Sequence, residues 1–103
     1  MSVSEGDIAH ALELLSSLDG LSARRMMGGC SIYCAGRIFA MLDREGVLYL
    51  KAAGDFAQTL QAAGARQFGA GTSHRMGYWT MPEAGLDDPE VAGNWASAAL
   101  ENL

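Results

Sequence analysis

Two glycine-bearing turns, set close together, restrict what this chain can fold into. The stretch from Arg24 to Leu42, RRMMGGCSIYCAGRIFAML, places Gly28-Gly29 and Ala35-Gly36 between short apolar runs. A two-residue connection between strands uses positive φ, which glycine adopts without a Cβ clash. The five residues from Cys30 to Cys34 are too few for a helix and suit a strand tied on both sides. The spacing therefore predicts strands over about 23–27, 30–34 and 37–43, with Gly28, Gly29 and Gly36 as turn residues. Arg44-Glu45-Gly46 reads as a three-residue hairpin loop into a fourth strand over about 47–51. Loops this short join antiparallel neighbours, so the four strands form a meander.

Helical periodicity surrounds the meander. Ile8, Leu12, Leu15 and Leu18 share one stripe, predicting a helix over about 4–18 that opens on a capping box at Ser2/Glu5 or Ser4/Asp7. Asp55 as N-cap and Gly64 as stop bound a second helix, whose narrow stripe of Phe56, Leu60 and Ala63 suits cover over one sheet edge. The small-residue segment after Phe68 reads as a loop, and residues 75–80 as a fifth strand that ends before Pro82. Asp88-Pro89 opens the last helix, with Val91, Trp95 and Ala98 or Ala99 on its buried line. The expectation is one α+β domain over residues 1–103, an antiparallel meander of about five strands flanked by three helices in the order α-β-β-β-β-α-β-α. On the third strand both Ile38/Ala40/Leu42 and Phe39/Met41 are apolar, so either cover lies on both sides or a dimer interface occupies the second face.

The chain has 103 residues and a formal net charge of -5, with four of those five negative charges in residues 52–103. Nucleic-acid binding draws on several phosphate-neutralising cations, so direct binding is disfavoured. No apolar run reaches the roughly 20 residues that cross a bilayer, and no basic-then-apolar leader opens the chain, which makes a cytoplasmic location the expectation. Cys30 and Cys34 on one strand lie about 13 Å apart at roughly 3.3 Å per residue, too far for a disulfide or a shared zinc. They read as reduced, small apolar residues, and no metal or cofactor is expected. His10 lies off the helical stripe and reads as solvated. Gly28-Gly29 lacks the further glycines and following helix of a phosphate loop. Ser73-His74 lacks an elbow motif and an orienting acid, and catalytic residues are expected to be absent.

Side chains that can reach a partner are a different matter. Adjacent Tyr78 and Trp79 on a strand point to opposite faces, so one is core and the other is either covered or a contact anchor. Arg24 and Arg25 split in the same way. With Tyr33 and Arg37 on the neighbouring strands, these six residues (Arg24, Arg25, Tyr33, Arg37, Tyr78 and Trp79) are the candidate partner- or ligand-binding set.

The whole pattern resembles the N-terminal domain of the TfoX (Sxy) family of bacterial competence regulators. RRMMGGCSIYCAGRIFAM is similar to the family's R-x-M-F-G-G-x-G-I-Y-x-D-G-x-x-F-A. Leu48–Lys51, the set Met76, Tyr78, Trp79, Pro82 and Glu83, and Asp88-Pro89 with Trp95 match three further blocks, together spanning about residues 20–100. Met27 stands where the family usually has Phe, Ser31 where it has Gly, and Ala35 where it has Asp. The resemblance implies an antiparallel sheet flanked by helices, no enzymatic activity, and contacts with transcription machinery or other regulators. Family members acting in competence carry a second, helical domain that these residues do not include. Two functions are thus carried forward: a small interaction module for a protein partner, and a small-ligand or anion-binding domain, dimeric or not.

Overall fold

The structure, a computed structural model, describes residues 2–73 and 75–103. The observed order is α1 (Glu5–Leu14), β1 (Leu21–Met26), β2 (Gly29–Cys34), β3 (Arg37–Leu42), β4 (Leu48–Lys51), α2 (Gly54–Ala62), β5 (Tyr78–Thr80) and α3 (Pro89–Glu101). The five strands form one antiparallel sheet in the sequential order β1-β2-β3-β4-β5. The predicted α+β class and element order are both found.

The first turn is corrected by one residue. Met27 and Gly28 carry the positive φ values, 53° and 86°, while Gly29 is the first residue of β2. Strand pairing explains the choice, because a Cβ on Gly29 would run into the Leu42 carbonyl oxygen of the next strand. A turn at Gly28-Gly29 would set Arg24 opposite Tyr33; the observed one sets it opposite Ser31. The second turn, Ala35 at 50° and Gly36 at 81°, lies where the spacing placed it. Both are left-handed at both central positions, the twist that joins adjacent strands of a hairpin most directly.

Helix boundaries shift for local reasons. Ser4 caps α1, its Oγ accepting from the Asp7 N–H at 3.0 Å. The helix stops at Leu14 rather than Leu18, because the chain tightens into turns at Leu15–Leu18 before Gly20, at φ 76°, swings it into β1. α2 begins at Gly54 with Ala53 in the cap position, so Asp55 sits in the first turn as a dipole partner rather than as the N-cap. Asp88 caps α3 as expected, accepting from the Glu90 and Val91 N–H groups. β5 is shorter than predicted, because the Met76 N–H turns away to the Phe68 carbonyl.

One face of the sheet is roofed. Cys30, Ile32, Ala40, Leu42, Leu48 and Leu50 share it by register, and they merge with Leu15 of the turn after α1, Phe56 and Leu60 of α2, and Ala92, Ala96 and Ala99 of α3. A bulge between β2 and β3 adds Phe39 to this core beside Ala40, both fully buried. That resolves the doubly apolar third strand: Phe39 goes inward, and Ile38 and Met41 remain half-buried on the other side. α2 packs on the edge strand β5, as its narrow stripe suggested.

Candidate interaction surface

Among the described residues, no helix lies over the opposite sheet face. The register assigns to it Ser22, Arg24 and Met26 of β1, Ser31 and Tyr33 of β2, Ile38 and Met41 of β3, Tyr49 and Lys51 of β4, and Tyr78 and Thr80 of β5. In the loop before β5, residues 66–68 run back along that strand, held by Thr80 N–H to Arg66 carbonyl, Phe68 N–H to Tyr78 carbonyl and Arg66 N–H to Thr80 Oγ1. They bring Phe68 edge-on to the Tyr49 ring, with centroids 5.3 Å apart. Between this loop and β1 lies a trough of about 450 Å³ whose apolar lining comes chiefly from Met26, Met27, Met41, Met76 and Phe68. Met26, Met27 and Met76 are 49%, 87% and 47% exposed. Methionine is unbranched and polarizable, so four of them give a surface that moulds to different apolar partners.

Polar groups fix the margins. Arg44 lines the trough and donates from Nε to the Met27 carbonyl at 3.2 Å, steadying the exposed turn. Asp43 accepts from the Glu45 and Val47 N–H groups at 2.9 and 3.0 Å and is spent on the β3–β4 turn. Ser31, on the floor, donates to the Met26 sulfur at 3.5 Å. The Tyr49 phenol is pushed above its ordinary value by burial first and by the Asp43 carboxylate second. Burial likewise raises Tyr78, with Tyr33 adding a smaller push. The Cys30 thiol, buried on the roofed face, is also raised by desolvation.

Of the candidate set, the open face gathers Arg24, Tyr33 and Tyr78. Arg25 goes to the roofed face and donates to the Val3 carbonyl at 2.7 Å, pinning the N-terminal segment. Trp79 packs against the core, so of the aromatic pair the tyrosine is the one on the open side. Arg37 stands at the far end of the sheet, beside a separate depression with Ile38, Lys51 and Ala52. Ser73 is exposed, and His74 lies outside the described residues. The sequence reading missed the methionines and Phe68; the signal available was six methionines in a short chain, with Met26 and Met41 at strand positions opposite the core. Among the described residues, no three His, Cys, Asp or Glu side chains gather as a metal site requires. No helix among them is long and apolar enough to cross a membrane.

The family model for the TfoX N-terminal domain matches residues 13–103. The chain belongs to that family. The match takes in the last two residues of α1 and runs through α3, so α2 and α3 as well as the meander lie within the matched region. No curated protein matches the chain.

Proposed function

We propose that this TfoX N-terminal domain is a non-catalytic interaction module of the cytoplasm, connected with transcriptional regulation such as competence control, and that it contacts a protein partner through the open sheet face. The observation that carries this reading is the methionine-lined trough on a sheet whose other face is already filled. A contiguous exposed apolar patch costs solubility, and in natural proteins it marks a contact surface. Capture from native lysate by the tagged chain, with the eluate sized, tests it. The expected result is a defined partner retained by the parent and by Trp79→Phe, and lost with Met27→Glu. No capture, or equal capture by Met27→Glu, would refute the reading.

The second reading is a small-ligand site, favoured by a volume of about 450 Å³, inside the roughly 300–1,000 Å³ range of such pockets. A thermal-shift screen of metabolites separates the two, since saturable stabilisation by one compound supports the ligand.

A further inference from the structure

Charge on this chain is sorted by element. None of the three helices contains Lys or Arg, and all seven cations lie between Arg24 and Arg75, on strands and loops. Carboxylates do the reverse: apart from Asp43 and Glu45, every one lies in a helix or in its flanking turns. Around the trough this leaves Arg24 opposite Ser31 on the open face, Arg44 on the wall, and Arg66 where the returning chain pairs with Thr80 of β5. Against them stand the carboxylates of Asp43 and Glu45 on the same margin, so the cations around the trough outnumber the anions three to two.

The trough also has a shape. Its walls stand on β1 and over β4, three strand spacings or about 14 Å apart. An α-helix with its side chains is about 10–12 Å across. A strand laid on a sheet face would leave its backbone N–H and C=O groups unpaired, whereas a helix satisfies its own. The trough lies at the turn end of the sheet, and the open face continues from it along six-residue strands for about 20 Å, the length of roughly 13 helical residues.

We infer that the trough docks an acidic amphipathic α-helix of a partner protein, its apolar stripe on Met26, Met27, Met41, Met76 and Phe68 and its flanking carboxylates against Arg24, Arg44 and Arg66. This rests on the reading of the open face as a protein-contact surface and adds the chemistry of the partner. A second copy of this chain is the weaker occupant. Two open faces brought together would bring like-charged arginine clusters onto one interface. Nucleic acid would meet the same cations, but on a chain of net charge -5 three arginines with two carboxylates among them are few for a phosphate backbone.

The test uses the intact chain and a fluorescent peptide of about 15 residues, near the length at which an isolated helix begins to hold. It carries leucines at helical spacing and glutamates elsewhere. Two controls replace every glutamate by lysine or place a proline at the centre. The glutamate peptide should bind saturably, both controls about tenfold or more weakly, and Arg24→Glu or Met27→Glu should lower its affinity by a similar factor. Both substituted side chains are exposed, and coincident thermal unfolding verifies that the variants are folded. Absence of glutamate-peptide binding, equal binding of the lysine peptide, indifference to both variants, or displacement by duplex DNA would each overturn the inference. So would concentration-dependent self-association of the chain abolished by Met27→Glu. If the peptide fails while Met27→Glu still loses the lysate partner, the contact face stands and only the acidic helix falls. If both fail, both fall.

Discussion

The two faces of this sheet are built from the same strands by alternation, yet they answer to different demands. On the roofed face, Ile32, Phe39, Ala40 and Leu50 are fully buried against three helices. On the open face, Met26 and Met76 keep nearly half of their surface in water and Met27 most of it. Stability is carried by the first face, and the second is free to be shaped for contact. A side chain two residues along a strand shares its neighbour's role, and a side chain one residue along does not.

The sharpest way to break that comparison is to empty each face in turn. Phe39→Ala should cost about 3–5 kcal/mol in urea unfolding, because it removes a fully buried ring from a packed core. Gly29→Ala comes next, at about 1–3 kcal/mol, since its methyl meets the Leu42 carbonyl and the strands must separate to admit it.

The tyrosines of the open face give a smaller, pH-dependent effect. Tyr49 and Tyr78 both sit above the ordinary value of 10.0, so the unfolded chain loses these protons first. Stability they contribute is complete below pH 10.0 and falls as pH rises from there through the folded values. Thermal unfolding across that range should therefore show a steeper alkaline decline for the parent than for a Tyr49→Phe, Tyr78→Phe form. The smallest effect belongs to Met27→Glu, within about 0.5 kcal/mol of the parent. A larger loss there would mean that the open face also carries the fold.

Much of the architecture was legible because it is written locally. Ala35-Gly36 marked its turn, Asp88-Pro89 marked the start of α3, and the stripe from Ile8 to Leu18 marked α1. The first turn was misread by one residue because either Met27-Gly28 or Gly28-Gly29 satisfies the local rule; the Leu42 carbonyl, far along the chain, decides between them. The trough was hidden for a similar reason. Its walls come from the β1–β2 turn, β3 and the loop before β5, and no window of sequence holds all three. Alternation told that Arg24 and Arg25, like Tyr78 and Trp79, part to opposite faces, but not which member goes where. Register sends Arg25 and Trp79 to the roofed side, one to the Val3 carbonyl and the other to the core.

The sequential order of the strands also sets a timetable for folding. The first three hairpins close loops of two, two and five residues, so β1 to β4 can zip together quickly through short-range contacts. The roof cannot keep that pace, because Ala92, Ala96 and Ala99 of α3 must travel back over strands made long before them. Until residues 89–101 dock, the sheet presents apolar surface on both sides, so a chain cut before its last helix would expose the face that holds Ile32, Ala40 and Leu50.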